Sequence, residues 1–107
     1  MKTGHIEIFV KDPLKSKVFY TEALKFELVE VQQDAFVWLK SGDVLVLLRP
    51  GRGLKAGTDE YALSDIGLVL YTDNLLKTAE NLQSKGLEFK GTDGSEKCLT
   101  FTDPDGN

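Results

Sequence analysis

The chain has 107 residues, 41% of them apolar, enough for one domain with an ordinary core. Thirteen basic against seventeen acidic residues give a net charge of −4 with the two signs interspersed, which argues against nucleic acid as a partner, because phosphate binding needs a clustered basic face. No secretory leader and no apolar run of membrane-spanning length are evident, and the single cysteine, Cys98, has no partner for an internal disulfide, so a soluble protein of the reducing cytoplasm, without a membrane role, is expected.

The first element is a strand. From His5 to Val10 the pattern has period two, with Ile6, Ile8 and Val10 on one face and His5, Glu7 and Phe9 on the other. Asp12 followed by Pro13 then supplies a helix cap and a preset first turn, and a helix is expected from Leu14 to Lys25, packing through Leu14, Val18 and the pair Phe19 and Tyr20. "FELVEV", "AFVWLK" and "DVLVLLRP" follow, rich in β-branched and aromatic residues and separated by "QQD" and "SGD", which carry turn chemistry. They read as three antiparallel strands.

"PGRGLKAGTDE", residues 50 to 60, has three glycines, a proline and no apolar periodicity, and reads as a linker or mobile loop. Its "PGRG" with Lys55 is not a phosphate loop, since the Gly-Lys-Ser/Thr ending and the strand-to-helix setting are missing. Gly51 and Gly53 are expected to let it move.

The order of elements then restarts. "IGLVLY" reads as a strand, Asp73 or Asn74 as a cap, and Leu75, Ala79 and Leu82 as the packed stripe of a helix stopped by Gly86. "LEFKGT" and "KCLTFTD" are further strand candidates around the turn-rich "GTDGSE". Cys98 in such a strand reads as a small core hydrophobe rather than a nucleophile. "DPDGN" lacks the ligand spacing of a calcium loop and reads as a tight turn. No serine, histidine and carboxylate triad follows from the spacing.

The two halves repeat at an offset of about 61 or 62 residues, too few copies for a solenoid. The expected fold is therefore α+β, with two pseudo-symmetric βαβββ modules, residues 1 to 49 and 61 to 107, joined by the linker at 50 to 60 in a single domain. The second module is expected to lack its last strand, because "DPDGN" falls where the first still has a strand to go.

"HIEIFVKDPLKSKVFYTEALKFE" at 5 to 27, the second helix ending in "SKG" and "FTDPDGN" at 101 to 107 resemble, in that order and spacing, the vicinal oxygen chelate superfamily. That superfamily includes glyoxalase I, extradiol dioxygenases, fosfomycin-modifying enzymes and bleomycin resistance proteins. The resemblance covers nearly the whole chain and implies a curved mixed sheet around a cleft, with a divalent ion held in the metal-dependent members by one ligand on each of four strands.

Placed on this sequence, the first ligand position is His5. The second falls at Val46, the third at Gly67 or Ile66 depending on the cap alignment, and the fourth on a strand beyond Asn107. One imidazole is no metal site, so no metal and no cofactor are expected. The alternative is zinc, nickel, iron or manganese in a lyase, transferase or dioxygenase whose site is completed by residues outside this sequence.

The resemblance further implies that His5, Glu7 and Phe9, then Val44, Val46 and Leu48, and from the second module Gly67, Val69 and Tyr71, face the cleft. The strand "AFVWLK" offers either Phe36 and Trp38 or Val37 and Leu39, and likeness to the bleomycin resistance proteins favours the aromatic pair. The expected site is thus a small-molecule pocket of His5, Glu7, Phe9, Phe36, Trp38, Val46 and Tyr71, with no catalytic residue, taking an aromatic or cationic compound. Glu7 would meet a cationic group, or else is a solvated carboxylate on an exposed strand face, and Phe9, Trp38 and Tyr71 serve equally well as plain core. A third reading is a module kept for assembly alone. A homodimer covering the unpaired sheet edge is expected.

Overall fold

The computed structural model describes residues 1–51, 61–63 and 66–107. These fall into two compact units, one holding residues 1–51 together with Asp103–Asp105 and Asn107, the other the rest of the described chain with Gly106.

The first unit is strand β1 (Ile6–Val10), helix α1 (Pro13–Val18) with a wider π turn after it (Phe19–Ala23), and strands β2 (Glu27–Gln32), β3 (Phe36–Ser41) and β4 (Val44–Pro50). The sheet order is β1-β4-β3-β2, with β1 parallel to β4 and the other pairs antiparallel. A parallel pair needs a crossover, and α1 with the β2–β3 hairpin supplies it. This is the βαβββ order that the sequence pattern implies.

Local chemistry explains the elements. The Asp12 carboxylate accepts from the backbone N–H groups of Leu14 and Lys15 at 3.1 and 3.3 Å, with Pro13 in the first turn. The expected helix to Lys25 is shorter and changes pitch, because the Thr21 hydroxyl donates to the Lys17 carbonyl at 2.8 Å and the Leu24 N–H reaches back five residues to Phe19. Left-handed Lys25, at φ 62°, ends it. The packed side of α1 is Pro13 and Ser16, continued by Tyr20 in the π turn, whereas Leu14 and Val18, expected to pack, are exposed on the other side.

The core lies on one face of the sheet. Val10, Val37, Leu39, Val46 and Leu48 meet Tyr20 and Phe26 there, with Ile6 and Ile8 partly buried around them. Val46 therefore does not face a ligand site. It pairs with Ile6 on one side and Leu39 on the other and is 0% exposed, so the expected outlook of Val46 and Leu48 is corrected by one residue. The opposite face of β4 belongs to Leu45, Leu47 and Arg49.

"DPDGN" is a tight turn that clamps this unit. The buried Asp103 carboxylate accepts from the Tyr20 hydroxyl at 2.8 Å and from the backbone N–H groups of Asp105 and Asn107 at 2.9 and 2.8 Å. Asp105 accepts from the Lys11 N–H at 2.9 Å and the Ser16 hydroxyl at 3.1 Å, and the Asn107 amide donates to the Phe9 carbonyl at 3.1 Å. Gly51, expected to be free, is fixed instead: its N–H donates to Val10 at 3.0 Å, and an added Cβ would lie 2.7 Å from that of Phe9. Gly53 and Lys55 lie outside the described residues.

In the second unit helix α2 (Leu75–Ser84) is capped by Asn74, whose side chain accepts from the Lys77 N–H at 3.0 Å. Ala79 is its buried residue, and Gly86 follows the helix at φ 91°. The strands expected in this half are not formed as such among the described residues. Two backbone bonds between Lys90 or Gly91 and Thr100 make an isolated bridge, and "IGLVLY" pairs with no strand among the described residues. Alternation gives a segment two faces, but only a neighbouring backbone makes it a strand.

Candidate functional site

The sheet face turned away from the core carries a connected cluster. β1 brings Glu7 and Phe9, with His5 just before the strand. β4 brings Leu47 and Arg49, β3 brings Phe36 and Trp38, and β2 brings Gln32 and Glu30. Register accounts for this: Phe9 pairs with Arg49, Glu7 with Leu47, Trp38 with both Leu47 and Glu30, and Gln32 with Phe36.

Arg49 is at the centre. Its Nη1 donates to Glu7 Oε1 at 2.6 Å, and its guanidinium carbon lies 5.5 Å from the Phe9 ring centre and 5.7 Å from that of Phe36. Two aromatic rings thus hold one planar cation, a favourable contact at this range. Its Nε is buried and has no hydrogen-bond partner among the described residues.

Glu7 Oε2 lies 3.5 Å from His5 Nε2, so the carboxylate bridges a guanidinium and an imidazole. The Arg49 hydrogen bond, and then its charge, hold the Glu7 carboxyl below the usual carboxylate range. The His5 ring stands edge-on to Trp38 with centres 4.7 Å apart, and Trp38 Nε1 donates to Gln32 Oε1 at 2.9 Å. Gln32 Nε2 donates in turn to Glu30 Oε2 at 3.4 Å. A shallow depression lined by Glu30, Val31, Gln32, Gln33 and Phe36 lies at this end of the face.

The structure therefore brings together His5, Glu7, Phe9, Phe36 and Trp38. Val37 and Leu39, the other reading of β3, are in the core. Val46 is on the opposite side of the sheet and is not part of this cluster, and Tyr71 belongs to the second unit, where its side chain is 98% exposed. Arg49 and Gln32 were not singled out by sequence reasoning. Arg49 ends an otherwise apolar strand, and that lone charge is the one signal that marks the face.

The donor set does not fit a divalent metal. The β4 residue across from Glu7 is Leu47, whose side chain has only carbon to offer, and Glu7 is already opposed by a guanidinium. Gly67 has no side chain, so that position offers no side-chain ligand either. No group of three or more histidine, cysteine, aspartate or glutamate side chains is placed to hold an ion among the described residues. The Cys98 thiol is pushed up by the little burial it has and then by the Asp93 charge, which disfavours the nucleophilic thiolate.

Over residues 2–107 the sequence matches the family model of the glyoxalase/bleomycin resistance protein/dioxygenase superfamily. The chain belongs to this superfamily. No curated protein sequence matches it. Among solved structures it is similar to TnmS3, an antibiotic binding protein from Streptomyces sp. CB03234, at 26% identity and a TM-score of 0.70, covering 100% of this chain and 93% of that one. It is also similar to the fosfomycin resistance protein FosX of Listeria monocytogenes (19% identity, TM-score 0.77, 99% of this chain and 85% of that one). A possible glyoxalase from Bacillus cereus matches at 14% identity and a TM-score of 0.76, covering 99% and 93%. The last two likenesses show the fold. Superfamily membership thus spans binding proteins and enzymes, and the side chains on the sheet must separate them.

Proposed function

We propose that the protein is a metal-independent binding protein for a small compound with planar aromatic rings, held on the face of His5, Phe9, Phe36 and Trp38. The observation that carries this reading is the ring cluster itself: His5 edge-on to Trp38, and Phe9 and Phe36 against the Arg49 guanidinium, all on one sheet face, with a leucine across from Glu7 on β4. Fixed rings supply stacking area at little entropic cost, and the polar groups among them orient what is stacked. The similarity to an antibiotic binding protein supports the same class of function. A cationic ligand is less well served, because Glu7 already has Arg49 as its counter-ion.

In this reading the protein works as a cytoplasmic homodimer, a second copy covering the outer edge of β2, which has no strand beside it among the described residues. Light scattering that gives a monomer mass at micromolar concentration would remove that part.

Trp38 is the single tryptophan of the chain and sits in the proposed site, so its emission is a direct reporter. Titration with a neutral planar compound such as 2-naphthol is expected to change it saturably, and calorimetry is expected to show weaker binding to Phe36→Ala. Absence of saturable binding overturns the proposal. So does stoichiometric zinc, nickel, iron or manganese in purified protein that is lost in His5→Ala, which would support a metal-dependent lyase, transferase or dioxygenase instead.

A further inference from the structure

We infer that Arg49 is an anchor for an acidic group on the ligand, so that the preferred compounds are planar aromatic acids, carrying a carboxylate or a comparable oxyanion on the ring system. This rests on the proposed binding role of the ring cluster and adds to it the charge of what is bound.

Three observations carry the inference. First, the ion pair with Glu7 is single-pointed: among the described residues Glu7 Oε1 meets Nη1, and its other oxygen turns to His5. A guanidinium has five N–H donors, and the edge formed by Nε and Nη2 is a fork matched to a carboxylate, which Glu7 does not use. Second, Nε is buried and has no acceptor among the described residues, so an oxyanion that displaces what covers it satisfies a donor the fold leaves unpaired. Third, the guanidinium is immobilised by Phe9 and Phe36, so the fork is already oriented and an aromatic acid would meet rings and donors together.

Glu7 then acts as the resident counter-ion. It holds Arg49 in place and screens its charge, and by the same token it repels an incoming anion. The Glu7 side chain thus sets specificity against the ligand class that Arg49 favours, and its removal must favour acids without favouring neutral compounds.

The test compares 2-naphthoate with its neutral isostere 2-naphthamide, using ligand-observed NMR titration of the full chain. Wild type is expected to bind the acid about tenfold more tightly, the size of one charge-assisted bidentate contact. Arg49→Gln is expected to bring the two affinities together, and Arg49→Lys, which keeps the charge and loses the fork, to leave a preference between those limits. Glu7→Gln is expected to tighten naphthoate several-fold and leave naphthamide unchanged. Circular dichroism confirms that each variant is folded, and because the readout is a ratio of two ligands on one protein, a purely structural role for Arg49 would not move it.

Equal binding of the two compounds by wild type, or a preference for the acid that survives in folded Arg49→Gln, overturns the inference and leaves the binding function standing. If neither compound binds, the ring-cluster reading falls and the anchor with it.

Discussion

Tyr20 and Asp103, 83 positions apart in the chain, meet in a buried hydrogen bond of 2.8 Å. The tyrosine sits 3% exposed on the core side of the π turn, and the aspartate gathers the N–H groups of Asp105 and Asn107 around the same carboxylate. Tyr20→Phe removes the donor and leaves a buried carboxylate oxygen short of one partner. Urea unfolding is expected to show a loss of about 1–3 kcal/mol, and a change within error would mean that the clamp is not part of the folded state's stability.

The same pair predicts a basic limit. Burial, and then the Asp103 charge, push the Tyr20 hydroxyl well above its ordinary value. A group whose folded pKa is raised contributes stability that is complete below its unfolded pKa and lost as pH rises above it. Stability should therefore decline from about pH 10 upward, and Tyr20→Phe should flatten that decline. A decline of equal slope in the variant would assign it to other groups.

Glu7 gives the acidic counterpart. Arg49 holds its carboxyl below the ordinary range, so the ion pair's contribution is present above the unfolded value of about 4.3 and fades as pH falls through the lower folded pKa. Carboxyl-detected NMR is expected to place the Glu7 midpoint below that value in wild type and to move it up in Arg49→Gln. The pair is exposed to water, so the titration, rather than unfolding, is where its effect appears. An unmoved midpoint would show that the 2.6 Å contact does not persist in solution.

The first half of the fold was legible for a physical reason. β1 alternates residue by residue, Asp12 and Pro13 announce α1, and the hairpins carry their own turn residues, so element order followed from local chemistry. The phase of β4 was not legible, because Val44 to Leu48 is apolar throughout and such a run does not say which side chains share a face. Only pairing with β1 and β3 fixes it, which is why Val46 was expected beside Glu7 and Leu47 is found there. Arg49 escaped notice for the same reason, since its value lies in being opposite Phe9, a relation 40 residues long. In the second half α2 and its cap were legible, but strand pairing is a property of two segments and "IGLVLY" alone could not supply it.

Trp38 and Leu39 are adjacent in sequence and face opposite sides of one strand, which separates stability from binding in a single comparison. Leu39 is 0% exposed in the core between Val46 and the β2 strand, so Leu39→Ala creates a cavity and is expected to cost about 2–5 kcal/mol in chemical denaturation. Trp38 is half-buried on the ring face, where its truncation removes the His5 contact and the hydrogen bond to Gln32. Trp38→Ala should cost less stability than Leu39→Ala and lower the affinity for 2-naphthol, measured by calorimetry, about tenfold, while folded Leu39→Ala keeps it. If the two substitutions affect binding equally, the rings of this face are scaffold, and the ligand of this superfamily member lies against other residues.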